Sequence, residues 1–230
     1  MRQPISARVV ADMLQSAGTN RVIALDIHTQ QIQGFFGSET PLDFIPGDLV
    51  FLDTLKELFH EAPFIVSSTD AGGASRCRDL AAKFNVDIVI VDKRRPRPNV
   101  SEVMNVIGDV KGKNVVLYDD ICDTGGSLCK AAQALKNTGA QKVYGCVTHA
   151  VLSNNAAELI SKSCFEKLYF SDSIFIPEEK LKQMGDKVQI ISCAPLIAKI
   201  INIVHSEESY GEFLSKVKHD VAEELQVKEQ

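Results

Sequence analysis

The stretch VVLYDDICDTGGS, Val115 to Ser127, carries four apolar residues into two adjacent aspartates and then into a Thr-Gly-Gly-Ser turn. Asp119 and Asp120 at the end of a buried strand repel one another and resist burial. A ligand that rewards both charges offsets that cost. Vicinal hydroxyls of a sugar do so, each donating to a carboxylate. Thr124, Gly125, Gly126 and Ser127 supply the complementary chemistry: hydroxyls and backbone N–H groups at a helix start, with glycines that allow positive φ and close approach, make a phosphate cradle. The same residues also fit a plain strand end with an aspartate capping the next helix. The acidic pair directly upstream favours the sugar-phosphate reading.

Other residues carry chemistry of a related kind. In SSTDAGGASR, residues 67–76, Asp70 precedes Gly72 and Gly73, whose backbone can approach a diphosphate closely. The run KRRPRPNV, residues 93–100, sets four cations and two prolines where a connection belongs, so it suits neither a helix interior nor a central strand. It reads either as a solvated charged loop or as a cationic group that meets a phosphorylated ligand. His28, in LDIHTQQIQGFF, follows a β-branched run, and a histidine in such a turn serves either structure or a ligand. Gln30, Gln31 and Gln33 beside it read as packing or supporting residues.

Positioning these groups requires a scaffold with several strand ends on one edge. Short β-branched runs alternate with amphipathic segments, the pattern of a parallel sheet covered by helices on both faces. Strands are expected at 21–27, 63–67, 86–92, 114–119, 141–148, 165–170 and 187–191, and the clearest helices at 5–17, 74–84, 126–137, 153–162 and 193–204. Strand 114–119 then ends at the carboxyl edge, where such sheets bind ligands. The tail after Lys216 is charged with few apolar anchors and reads as a frayed helix or a disordered end.

The remaining properties narrow the class by exclusion. A net charge of −5 at pH 7 gives no basic footprint for nucleic acid. No apolar run approaches the ~20 residues that span a membrane, and the N-terminus lacks a signal-peptide core. The six cysteines are scattered without zinc-like spacing, as in a reduced, cytoplasmic protein.

Four stretches together carry a family resemblance: VVLYDDICDTGGS, LDIHTQQIQGFF (25–36), SSTDAGGASR (67–76) and VDKRRPRPNVSEVMNVIGDVKGK (91–113). The first resembles the motif by which type I phosphoribosyltransferases and their relatives hold phosphoribosyl diphosphate (PRPP). All four resemble the ribose-phosphate pyrophosphokinases, or PRPP synthetases, from RQPISAR to about Leu214. The resemblance implies an α/β, type I phosphoribosyltransferase-like parallel sheet with helices on both faces. It also implies an enzyme that transfers pyrophosphate from ATP to ribose 5-phosphate, giving PRPP and AMP for nucleotide biosynthesis, with Mg²⁺ as cofactor.

Residue by residue, the resemblance implies that Asp119 and Asp120 hold the sugar, and that Asp123, Thr124, Gly125, Gly126 and Ser127 hold its 5-phosphate. Lys93 and Arg95 match a catalytic loop. His28, Arg2, Gln3, Gly72 and Gly73 fall to ATP or its diphosphate, and His28 and Asp70 to the metal. ATP and ribose 5-phosphate are the expected partners, with a homo-oligomer as the assembly and neither nucleic acid nor membrane involved.

Set against the family's two α/β halves, residues 1–45 read as a remnant of the first, 46–216 as a largely complete second, and 217–230 as a charged tail. An N-terminally shortened chain of this kind is expected to show little synthetase activity alone. Two alternatives stand beside the enzyme reading: a non-catalytic regulatory homologue that binds ribose phosphate but not ATP, and a phosphoribosyltransferase that consumes PRPP. The segments GSETPLDFIPGDLVF (37–51) and SSTD depart from the family pattern.

Overall fold

The computed structural model describes residues 5–94 and 103–227 and divides the chain into two compact units, 1–49 and 50–230. The boundary lies a few residues after the expected one at 45/46.

In the first unit, helix α1 (Ser6–Ser16) precedes strand β1 (Val22–Leu25), a 3-10 turn (Gln30–Phe35) and strand β2 (Leu42–Ile45). β1 and β2 pair in parallel from Val22 opposite Leu42 to Leu25 opposite Ile45. β2 was not expected from the sequence, because LDFI lies among turn-forming glycines and prolines. Asp26 ends β1 in a left-handed conformation, with φ 48°, and its N–H donates to the Ile45 carbonyl at 2.8 Å.

The second unit holds a seven-stranded sheet. Its elements run α2 (Leu52–Glu61), β3 (Phe64–Ser68), α3 (Ala74–Phe84), β4 (Ile88–Arg94), β5 (Val103–Ile107), β6 (Asn114–Cys122), α4 (Gly126–Asn137) and β7 (Val143–Ala150). They continue with α5 (Ala156–Ser161), β8 (Lys167–Ser171), α6 (Glu178–Met184), β9 (Val188–Ile191), α7 (Ala194–His205) and α8 (Tyr210–Val227). The strand order is β5-β4-β3-β6-β7-β8-β9, and every pairing is parallel except β4 with β5. After β3 the chain moves outward to β4, then returns to lay β6 on the other side of β3. The crevice between the carboxyl ends of β3 and β6 is therefore the topological switch point.

β6 reads as an unbroken apolar run because both faces are covered. Val115 and Leu117 join the core under α4, which presents Leu128, Ala131, Ala132 and Leu135. The opposite side carries a cluster of Phe59, Phe64 and Phe84 with ring centroids 5.3–5.6 Å apart. α3 adds Cys77, Leu80 and Ala81 to the buried residues.

Two differences from expectation have clear causes. Residues 93 and 94 are not loop: β4 continues through Lys93 and Arg94 and pairs antiparallel with β5, with Lys93 opposite Met104. As the sheet's antiparallel edge strand, β5 alternates, with Met104 and Val106 packed on the core and Ile107 half exposed. The tail is likewise not a loose end as far as Val227. In α8, Phe213, Val217 and Val221 recur at helical spacing, Val221 is buried, and Glu224 pairs with Lys56 of α2 at 2.8 Å.

Candidate functional site

The acidic pair lies within β6, which was expected to end at residue 119 but runs on to Cys122 and stays paired with β7 there. The Asp119 side chain keeps 21% of its exposure and that of Asp120 4%, so the two carboxylates lie at different depths. The buried Asp120 faces Arg76, from the first turn of α3, with Nη1 at 3.1 Å from Asp120 Oδ1 and 3.6 Å from Asp119 Oδ1. The Thr69 hydroxyl, just past the end of β3, donates to Asp119 Oδ2 at 2.6 Å, and the Asp120 N–H donates to Asp119 Oδ1 at 3.0 Å. Burial pushes the Asp119 carboxyl up to about 7; the neighbouring Asp120 adds to the rise and the Thr69 hydrogen bond opposes it. Two carboxylates thus share one guanidinium, which lies closer to the deeper of them.

Next along the chain comes the turn Asp123–Gly125. Gly125 is buried with φ 74° and ψ −10°, and α4 begins at Gly126 without a side-chain cap. Among the described residues no side chain caps the N–H groups of the first helical turn, which point out of the helix in the arrangement that binds anions. The loop after β7 braces this turn: Leu152 N–H donates to the Cys122 carbonyl at 3.0 Å, Ser153 N–H to the Asp123 carbonyl at 2.9 Å, and the Ser153 hydroxyl to the Asp123 carboxylate. Thr124 and Ser127 are exposed.

The turn after β3 forms the neighbouring wall. Asp70 is exposed, and its Oδ1 accepts the Gly73 N–H at 3.0 Å. A Cβ at Gly72 would lie 3.1 Å from Asp70 Oδ1, a tight contact with the end of an exposed side chain. At Gly73 a Cβ would meet ordinary contacts, with Ser68 Cβ at 3.4 Å.

Of the residues singled out in the sequence, Asp119, Asp120, Asp123, Thr124, Gly125, Gly126 and Ser127 form one strand-loop-helix unit, with Asp70, Gly72 and Gly73 on the adjacent loop. Lys93 lies near the end of β4, the other neighbour of β3. His28 belongs to the first unit, exposed between β1 and the 3-10 turn. Arg2, Gln3 and Arg95 lie outside the described residues. Arg76 and Thr69 were missed as functional residues, although both fall in or beside the quoted glycine-bearing stretch.

The profile of the phosphoribosyl synthetase-associated domain matches residues 69–215. A protein of Bacillus cereus named ribose-phosphate pyrophosphokinase is 47% identical over 208 residues, covering 90% of this chain and 64% of its own length. One of Vibrio cholerae with the same name is 48% identical over 209 residues, covering 90% and 65%. The crystal structure of phosphoribosylpyrophosphate synthetase from Mycobacterium smegmatis superposes with a TM-score of 0.80 at 33% identity, over 90% of this chain and 66% of that one. The chain thus spans less than two thirds of the length of these relatives, and its α/β sheet with helices on both faces has the fold of that structure.

Proposed function

We propose, from the premise that this chain belongs to the phosphoribosyl synthetase-associated domain family, that it serves a ribose-phosphate pyrophosphokinase and supplies the ribose 5-phosphate half of that enzyme's site. The observation that carries the reading is the unit from Asp119 to Ser127. An acidic pair in the last part of β6 is followed, after the Asp123–Gly125 turn, by a helix start without a side-chain cap, with Gly125 left-handed. Asp119 and Asp120 accept the vicinal sugar hydroxyls, and Asp123 to Ser127 surround the 5-phosphate.

In the proposed reaction the C1 hydroxyl oxygen of ribose 5-phosphate attacks the β-phosphorus of ATP. The bond from that phosphorus to the bridging α-oxygen breaks, AMP leaves and the hydroxyl proton is released. Charge builds on the transferring pyrophosphoryl group, and catalysis of this kind is mostly positioning and electrostatic stabilisation. Lys93 and Arg95 are assigned to that charge, and His28, Arg2, Gln3, Gly72 and Gly73 to ATP and its diphosphate.

For Mg²⁺ the donor in this unit is Asp70. Its carboxylate is exposed, one oxygen is held by Gly73, and the other makes no hydrogen bond among the described residues. That suits a hard, oxygen-preferring cation. Asp70 is proposed to hold it; the family resemblance separately assigns His28 a part in binding metal–ATP. When bound, the ion would neutralise phosphate charge.

No helix among the described residues is long and apolar enough to cross a membrane. Self-association is supported by exposed Ile5, Val9, Val10 and Met13 on and beside α1.

Calorimetry with ribose 5-phosphate and an assay of AMP release from ATP and ribose 5-phosphate test the reading. Binding with AMP release supports it, and Lys93→Ala is then expected to lower kcat more than it raises KM. Binding without AMP release keeps the ribose 5-phosphate site and is the result expected of a shortened chain as well as of a non-catalytic homologue, and absence of binding removes the site assignment.

A further inference from the structure

We propose that Arg76, with Thr69, is the positioning device that makes the acidic pair selective for a vicinal diol, by holding the Asp119 and Asp120 carboxylates in one fixed mutual arrangement. The inference rests on the sugar-phosphate reading of this site.

The geometry is economical. Asp119 and Asp120 are consecutive in a strand, so their side chains start toward opposite faces of the sheet. Even so, a single nitrogen, Arg76 Nη1, lies 3.1 Å from one carboxylate and 3.6 Å from the other. Thr69 fixes the far side of Asp119 at 2.6 Å. Both gripping residues come from one short segment, the end of β3 and the first turn of α3, which forms one wall of the switch-point crevice. Asp120, 4% exposed, has little water to hold it, so its orientation depends on protein partners.

These contacts orient without exhausting. A carboxylate oxygen can accept two hydrogen bonds, so a sugar hydroxyl can share Asp119 Oδ2 with the Thr69 hydroxyl that already aims it. The planar guanidinium can span two carboxylates in a set geometry, whereas an ammonium is a point charge on a flexible stem. Arg76→Lys therefore keeps the charge and loses the geometry. Thr69→Val keeps the shape and loses the hydroxyl.

The test is calorimetry on the wild type, Arg76→Lys and Thr69→Val with ribose 5-phosphate, 2-deoxyribose 5-phosphate and inorganic phosphate. Wild type is expected to prefer ribose 5-phosphate over its 2-deoxy analogue by about tenfold or more, the effect of leaving a buried polar partner unmatched. In Arg76→Lys that preference falls to about twofold and in Thr69→Val to about threefold, while affinity for inorganic phosphate stays within about twofold of wild type. A purely structural role would instead lower all three affinities together, and that outcome overturns the proposal, as does wild-type preference in both variants. If Arg76→Lys fails to fold, Thr69→Val decides by the same ratio. If the wild type binds inorganic phosphate yet does not distinguish the two sugars, the acidic pair does not read a diol, and the sugar assignment falls together with this one.

Discussion

Ser153 clasps Asp123 at two points, its N–H donating to the Asp123 carbonyl at 2.9 Å and its hydroxyl to the Asp123 carboxylate. The turn that starts the phosphate cradle is thereby tied to the loop after the neighbouring strand β7. Ser153→Ala removes the side-chain half of the clasp. Because Asp123 is exposed, the cost to stability is small, within about 1 kcal/mol. Binding is expected to suffer more, since a loosened turn must be ordered again by the ligand. Calorimetry is expected to show about a three- to tenfold loss of ribose 5-phosphate affinity, equivalent to one hydrogen bond. Unchanged affinity shows that the turn is rigid without the clasp.

The two glycines of the cradle make different demands. Gly125 has φ 74°, and a Cβ there meets only ordinary contacts, 3.6 Å from the Ala156 carbonyl oxygen. Its requirement is conformational, so Gly125→Ala is expected to destabilise by about 1–2 kcal/mol, the cost of left-handed backbone for a residue with a Cβ. Gly126 is the first residue of α4, and a Cβ there meets only Thr124 Oγ1 at 3.7 Å. Gly126→Ala is expected to be neutral or stabilising by up to about 1 kcal/mol. If the phosphate approaches this backbone, the same variant weakens phosphate binding while unfolding at an equal or higher temperature. Equal stability losses at both positions in thermal melts refute this distinction.

Most of the scaffold was legible because its signals are local. In β6, Val115–Tyr118 followed by Asp-Asp and Thr-Gly-Gly-Ser announced a buried strand, a ligand edge and a helix start within one short stretch. α3 and α4 begin and end where the sequence placed them, each opening after a glycine, and the structure shows α3 closing at a left-handed Asn85. β5 was missed although Met104 and Val106 alternate with Asn105, because the proline and cation run before it argued for a connection rather than a hairpin arm. α8 was undervalued because its charge masked the spacing of Phe213, Val217 and Val221. Arg76 belongs to another category. Its partners lie far along the chain, as the separation of 50 residues between Thr69 and Asp119 illustrates, and its part appears only once β3 and β6 are known to be neighbours.

The raised Asp119 carboxyl gives a pH dependence with a definite sign. Its ordinary value of 3.8 is lifted to about 7 by burial, with Asp120 contributing. Between these values the folded protein holds a proton that the unfolded chain has released, so stability falls as pH rises through that window. Asp119→Asn cannot ionise and is expected to flatten this slope in denaturant titrations. Binding runs the opposite way, because the ionised carboxylate is the better acceptor for a sugar hydroxyl. Ribose 5-phosphate affinity, referenced to Asp119→Asn to cancel ionisation of the phosphate, is expected to rise through about pH 7. A wild-type stability profile parallel to that of Asp119→Asn contradicts the shift.

Gly145 sits in the middle of β7, beside the strand that carries the acidic pair, and its lack of a side chain is a packing requirement. A Cβ there would lie 2.4 Å from Leu168 Cδ1 and 3.0 Å from Phe165 Cε1, and both side chains are buried. Neither can withdraw toward solvent, so Gly145→Ala forces β8 or the Phe165 ring to move. Overpacking of this kind costs about 1–3 kcal/mol, which for a chain of this size lowers the Tm by about 2–12 °C. The clash is with a δ-methyl, so trimming the neighbour should relieve it. In the double variant Gly145→Ala/Leu168→Val, the combined loss is expected to be smaller than the sum of the single losses by about 1 kcal/mol, as for residues that share one space. Strict additivity of the two changes in unfolding free energy refutes direct contact between position 145 and Leu168 as the origin of the glycine.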